Sequence, residues 1–92
     1  MATVKLRELG SETDQEVWDL IARKLKLPAY FGKNLAALED CLEDMDTSTR
    51  FDVTRAREGV PAARRDLFDG ICSVVARVAL ENDNVHLTVY TK

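Results

Sequence analysis

The 92-residue chain has little proline, glycine and cysteine, a single histidine and no long hydrophobic run. With 2 prolines and 4 glycines beside 46% hydrophobic residues, its composition is globular and excludes disordered and collagen-like chains. No apolar run approaches the roughly 18 residues that a membrane-spanning helix needs. Residues 1–15 also lack the basic-then-apolar pattern of a secretory signal. We therefore expect a single domain over residues 1–92, located in the cytoplasm and not bound to a membrane.

Residues that carry catalysis or bind metals are scarce. The sole histidine, His86, lies on the outward side of a predicted strand, and no zinc-ligand spacing joins it to the cysteines. There is no glycine-rich phosphate loop, and the acids of the second predicted helix crowd one surface instead of facing each other across a cleft. We expect no enzyme activity, no metal and no cofactor. Nucleic-acid binding is not expected either, because the surroundings of the loop aromatics are acidic.

The two cysteines, Cys41 and Cys72, each fall within an apolar helical pattern. Free cysteine is among the most buried residue types, so we interpret both as reduced packing residues. A disulfide between them is the alternative.

Hydrophobic periodicity predicts strands that alternate with helices. The predicted order is strand, helix, helix, strand, helix and strand, over residues 3–9, 13–25, 35–45, 50–54, 61–81 and 85–90. Gly70 leaves open whether the fifth element is one helix or two. Because strands separated by helices pair most economically in parallel, we expect an α/β fold, a small three-stranded parallel sheet flanked by three to four helices.

Helix boundaries are marked by local residues. Thr13 followed by Glu16 fits a capping box for the first helix, and Pro28 predicts that this helix stops before it. Asn34 is a good N-cap for the second helix. Trp18 shares a helical face with apolar residues, so we expect it in the core.

The loop of residues 28–34 holds two adjacent aromatic residues, Tyr30 and Phe31. Aromatic rings bury much area, so these side chains either cover the core or form part of a binding surface. Both interpretations remain open from the residues alone.

The second predicted helix combines an apolar face with a carboxylate-rich one. Five acids and no base fall between residues 36 and 46, whereas residues 55–65 hold four arginines and one glutamate. This asymmetry favours a cationic partner, although a solvated helix face also explains it. Carboxylates at the start of a helix would in addition be held by the helix dipole, which makes a rigid anionic site. Glu39, Asp40, Glu43 and Asp44 project from other faces of this helix than the apolar one.

The stretch LPAYFGKNLAALEDCL, residues 27–42, closely resembles the sequence signature of the barstar family. The resemblance implies a barstar-like fold, with a parallel three-stranded sheet flanked by helices, and residence inside the cell. It further implies inhibition of a barnase-like ribonuclease, whose active site the second helix and the preceding loop would plug.

The resemblance also implies a set of ribonuclease-binding residues. Tyr30, Gly32 and Asn34 match the binding loop, and Asp40 matches the acid that enters the phosphate site. Three positions depart from the best-known members. Ala36 replaces a second aspartate, Glu39 replaces a tryptophan, and Arg77 replaces an acid that faces the enzyme. The expected ribonuclease-binding set is Tyr30, Phe31, Gly32, Asn34, Ala36, Glu39, Asp40, Glu43, Asp44 and Arg77, in which Glu39, Glu43 and Asp44 are the candidates to compensate for lost acids.

The expected function is therefore inhibition of a secreted microbial ribonuclease, guanyl-specific and barnase-like, which would give immunity to the cell's own toxin. We expect a monomer that forms a 1:1 complex. The alternative is a barstar-like interaction module that binds a different cationic protein.

Overall fold

A computed structural model describes residues 2–10, 13–28, 31–56 and 59–91. The elements are β1 Ala2–Arg7, α1 Asp14–Leu25, α2 Leu35–Glu43, β2 Thr49–Arg55, α3 Ala62–Glu81 and β3 Val85–Thr91. The strands form one sheet in the order β1-β2-β3, and both strand pairs are parallel. The expected α/β fold with a three-stranded parallel sheet is confirmed, and the described helices are three.

All of the described helices cover the same face of the sheet. Each crossover connects a strand to its neighbour, from β1 to β2 and from β2 to β3, in the same direction across the sheet. Because such connections are right-handed, their helices lie on one side of the sheet. The register agrees, since Val4, Phe51 and Leu87 lie side by side facing the helices. The opposite face, called here the helix-free face, carries mainly polar side chains, which are Thr3, Lys5, Arg7, Arg50, Asp52, Thr54, His86, Thr88 and Tyr90.

The core lies between this sheet and the helices. Its largest fully buried side chains include Phe51 of the central strand, Phe68 of α3 and Ile21 of α1. Leu38 and Leu42 of α2 are also completely buried, so α2 is anchored by its apolar face. Burial of a leucine side chain stabilises the fold by about 2 kcal/mol, which makes this anchor strong for a short helix.

A buried acid, Glu8, lies at the carboxyl ends of β1 and β2. The side chain of Glu8 is only 1% exposed and pairs with Arg55, whose Nη2 lies 3.1 Å from Oε2. Arg55 also pairs with Asp69 of α3, and this hydrogen bond, chiefly, raises the pKa of the guanidinium. A buried charge needs such partners, so the two strand ends are tied to α3.

The predicted capping box of α1 is confirmed. The Thr13 hydroxyl accepts a hydrogen bond from the Glu16 amide at 3.2 Å, and the Glu16 carboxylate accepts one from the Thr13 amide at 3.4 Å. The helix ends at Leu25, ahead of Pro28, because Lys26 adopts a left-handed conformation with φ 53°. Its amide then bonds to carbonyls of the last turn.

Gly70 does not break the last helix, which runs continuously from Ala62 to Glu81. The alternative of two helices is therefore wrong. A Cβ at Gly70 would lie 2.5 Å from the Leu35 Cδ1 atom. The missing side chain thus lets α2 approach α3 closely, and helical hydrogen bonding is retained through the glycine.

Other boundaries differ slightly from the predictions. β1 ends at Arg7 and not at Leu9, and α2 ends at Glu43, so that Met45 lies beyond the helix. Both cysteines are free and half-buried, in agreement with reduced packing residues. The described helices include none long and apolar enough to cross a membrane.

Candidate functional site

The loop before α2 is fixed at its start by Phe31. The ring is 7% exposed and meets Trp18 edge-on, with ring centroids 6.2 Å apart and planes at 63°. The Phe31 amide also donates to the Pro28 carbonyl at 3.0 Å. Of the two interpretations of the loop aromatics, core coverage is the one that holds for Phe31, whose ring offers little surface to a partner. Tyr30 lies outside the described residues.

Lys33 ties the same loop to α1. Its Nζ lies 2.8 Å from Asp19 Oδ1, and this hydrogen bond, followed by burial acting in the opposite sense, lowers the pKa of the Asp19 carboxyl. Lys33 itself has a left-handed backbone with φ 52°, which non-glycine residues rarely adopt. The ion pair is exposed, so it orients the loop more than it stabilises the protein.

Asn34 begins α2, as predicted. Its side-chain oxygen accepts a hydrogen bond from the Ala37 amide at 2.8 Å, and its side-chain NH₂ donates to the Gly32 carbonyl at 3.2 Å. A Cβ at Gly32 would approach the Asn34 side chain to 3.1 Å and the Ala37 Cβ to 3.4 Å. One side chain therefore joins the loop to the helix, and glycine leaves room for it.

Three contacts hold α2 against α3 along its length. Near its start, Leu35 packs over Gly70. In the middle, the Glu39 carboxylate pairs with the Arg77 guanidinium. Just past its end, Asn82 donates to the carbonyls of Leu42 and Met45, both at 3.0 Å, and Asn84 donates to the Met45 carbonyl at 3.2 Å. We call Asn82 and Asn84 the asparagine clamp.

The opposite side of α2 carries three exposed carboxylates, Asp40, Glu43 and Asp44, which we call the acidic surface. They lie three and four positions apart, so they share one helical face. Within the described residues none of the three has an ion-pair partner. Ala36 is exposed one turn earlier on this face, and Gly32 and Asn34 are exposed in the loop before it.

The helix dipole does not hold these acids, and the expectation that it does is wrong. The first turn of α2 contains no acidic residue. Asp40 lies mid-helix, whereas Glu43 is the last helical residue and Asp44 is the C-cap, where the dipole disfavours carboxylates. Because the dipole leaves these negative charges unfavourable, contact with a cation would stabilise them. Its rigidity comes from the packing of α2 against α3.

The acidic surface also acts on the neighbouring cysteine. Burial, followed by the negative charges of Asp40 and Asp44, raises the pKa of the Cys41 thiol. Burial likewise raises the pKa of the Cys72 thiol, against an opposing effect of Arg55. Both side chains therefore stay protonated near neutral pH, which suits packing and not nucleophilic chemistry.

The structure brings most of the sequence-predicted site residues together. Gly32, Asn34, Ala36, Asp40, Glu43 and Asp44 form one exposed strip, and Glu39 and Arg77 lie beside it as an ion pair. Sequence reasoning missed the asparagine clamp, because Asn82 and Asn84 read only as the end of a helix. It also missed the bond between Lys33 and Asp19. The described residues contain no group of three or more His, Cys, Asp or Glu side chains that could hold a metal ion.

Together, the helices on one side of the sheet and the acidic strip on α2 give the protein one exposed, anionic surface. The chain belongs to the barstar family, since the family described as Barstar (barnase inhibitor) matches residues 1–92, the whole chain. That description names an inhibitory activity and not a catalytic one. A comparison with curated proteins gives no match.

Proposed function

We propose that this chain inhibits a secreted microbial ribonuclease, guanyl-specific and barnase-like, by placing the acidic surface and the loop before α2 in its basic active site. The family supports inhibition of barnase-like enzymes in general. The observation that carries the particular mechanism is the set of three exposed carboxylates, without an ion-pair partner among the described residues, on a helix that packs firmly against α3.

Charge supports this choice of partner. A ribonuclease cleft gathers cationic groups around a phosphate, and carboxylates can take the place of the phosphate charge. Asp40 is the central acid, and we expect it to enter the phosphate site, as the family resemblance implies. Carboxylate contacts to arginine are charge-assisted and often bidentate, so they add specificity as well as binding energy. Acids at the edge of the contact, such as Asp46, act mainly on the rate of encounter.

Rigidity supports it as well. Binding costs free energy when loops and side chains must be ordered at the interface. The loop and α2 are ordered beforehand by Phe31, Asn34, the Glu39 ion pair and the asparagine clamp. The loop and α2 therefore need little further ordering when the inhibitor docks. We expect it to act as a single domain in a 1:1 complex, in the cytoplasm, before the enzyme is secreted.

The test is titration of barnase with the wild-type chain and with Asp40→Ala, by calorimetry and by residual RNA cleavage. Truncating one partner of a buried, hydrogen-bonded charge pair costs about 2–5 kcal/mol, so Kd should rise roughly 30-fold to several thousand-fold. Asp46→Ala should cost far less, and its effect should fade at high salt because exposed charges are screened.

His86→Lys is the matched control. It changes the net charge by the same amount as Asp40→Ala, but at an exposed position of the helix-free face. Equal and small losses for Asp40→Ala and His86→Lys would contradict the mechanism. Absence of tight binding to barnase and to other basic ribonucleases would favour the alternative, a barstar-like module for a different cationic protein.

A further inference from the structure

Arg77 of α3 is a cation at the edge of the acidic surface. Its Nη2 atom bonds to the Glu39 carboxylate, and the two side chains differ in exposure, with 65% of Arg77 exposed and 23% of Glu39. The carboxylate is therefore tucked between the helices while the guanidinium stands largely in solvent. A guanidinium has five N–H donors and one carboxylate occupies at most two of them, so Arg77 keeps donors for a further acceptor.

The ion pair neutralises one acid of α2 and leaves the others charged. Of the acids on α2, Glu39 is neutralised, while Asp40, Glu43 and Asp44 have no ion-pair partner within the described chain. A partner that docks on this surface thus meets carboxylates along α2 and a guanidinium beside them on α3. A uniformly cationic partner would place like charge against Arg77, which disfavours binding.

We propose that Arg77 is a specificity-determining residue, which selects ribonucleases that carry a carboxylate on the rim of the active site opposite it and rejects those with a cation there. The inference rests on the proposed function and names the charge pattern of its target. Discrimination of this kind combines a new attraction with a repulsion against the wrong partner. The Glu39 carboxylate holds the guanidinium in place, because its planar fork fits a carboxylate in few orientations.

The experiment uses barnase and a set of barnase variants in which each residue on the rim of the active site is changed to glutamate or to lysine. Each is titrated with the wild-type chain and with Arg77→Ala. At one rim position, the glutamate form should bind the wild-type chain at least tenfold more tightly than the lysine form, equal to about 1.4 kcal/mol. The same two forms should bind Arg77→Ala within about threefold of each other.

A charge-swapped variant, E39R/R77E, separates direct contact from positioning. It keeps an ion pair between the helices but presents a carboxylate in place of the guanidinium. If position 77 faces the partner, the swapped chain should prefer the lysine form at the same rim position. If it keeps the wild-type preference, Arg77 acts only by holding α2, and the inference is overturned. Urea unfolding of each variant checks that the fold is retained.

Failure of this inference is distinguishable from failure of the proposed function. Tight binding that depends on Asp40, together with no rim position that separates the wild-type chain from Arg77→Ala, overturns the role of Arg77 alone. Absence of binding between every chain variant and every form of barnase, and to other basic ribonucleases as well, overturns the proposed function and the inference together.

Discussion

Asn82→Ala tests whether α2 is held by the asparagine clamp. In the folded protein the Asn82 NH₂ group donates to the carbonyls of Leu42 and Met45, and its oxygen accepts from the Asn84 amide at 3.0 Å. Alanine removes all three hydrogen bonds and leaves the helical hydrogen bond of the Asn82 backbone to Val78 in place. The substitution therefore loosens the end of α2 without breaking α3.

The size of the stability loss depends on whether the carbonyls of Leu42 and Met45 keep other hydrogen bonds. Each lost hydrogen bond between these partly buried groups is worth about 0.5 kcal/mol net, and stranded buried groups cost more. Neither carbonyl is stranded, because the Met45 amide still donates to the Leu42 carbonyl at 3.1 Å and Asn84 still donates to the Met45 carbonyl at 3.2 Å. We therefore expect a loss of about 1–2 kcal/mol in the free energy of unfolding. For a chain of this size this corresponds to a fall in Tm of roughly 5–15 °C.

Urea unfolding followed by the fluorescence of Trp18, the single tryptophan, measures this loss. Asn84→Ala removes only the bond of the Asn84 side chain to the Met45 carbonyl and should cost about a third as much. Binding to barnase should weaken in the same order, since a looser α2 must be ordered when it docks. An Asn82→Ala protein as stable as wild type, or less affected than Asn84→Ala, would refute the reasoning.

Three further predictions concern the loop before α2 and the half-buried thiol of Cys72. Phe31→Ala should lower the free energy of unfolding by about 3 kcal/mol, because a core ring is removed; a loss below about 1 kcal/mol in urea would show that the ring adds little to the core. Lys33→Ala should return the pKa of Asp19 toward its ordinary value of 3.8, as measured by carboxyl NMR titration. Because the folded-state pKa of Asp19 is lowered, its stabilising effect is complete above the unfolded pKa and is lost as pH falls through the folded one, so wild type should lose more stability than Lys33→Ala on acidification. The raised pKa of the Cys72 thiol predicts slow alkylation by iodoacetamide in the folded protein and a stability that declines as pH rises above 9.0, the ordinary value; rapid native-state alkylation at neutral pH would contradict this.

Local features of the fold could be predicted from the sequence. The capping box of Thr13 and Glu16 and the N-cap at Asn34 depend on side chains three residues apart, so short-range pattern contains them. The parallel sheet followed from strands that alternate with helices. The acidic surface was predictable for the same reason, because helical spacing alone separates Asp40, Glu43 and Asp44 from the apolar face.

Features that depend on two distant segments could not be predicted. Gly70 looks like a helix break until the Leu35 side chain is seen to occupy the space beside it. The ion pair of Glu39 and Arg77 joins residues of different helices, whose approach no local pattern specifies. The burial of Phe31 is set by its contact with Trp18 on α1. In each case tertiary packing decides what the residue does.

The parallel sheet also determines the order in which the chain can fold. Ala2 pairs with Thr49, and Thr49 pairs with Val85, so every strand pair joins residues dozens of positions apart. The sheet can therefore not start from a local hairpin, and closing such loops has an entropic cost that slows folding. We therefore expect helical turns to form before the sheet, whose central strand has to pair with a distant segment on each side.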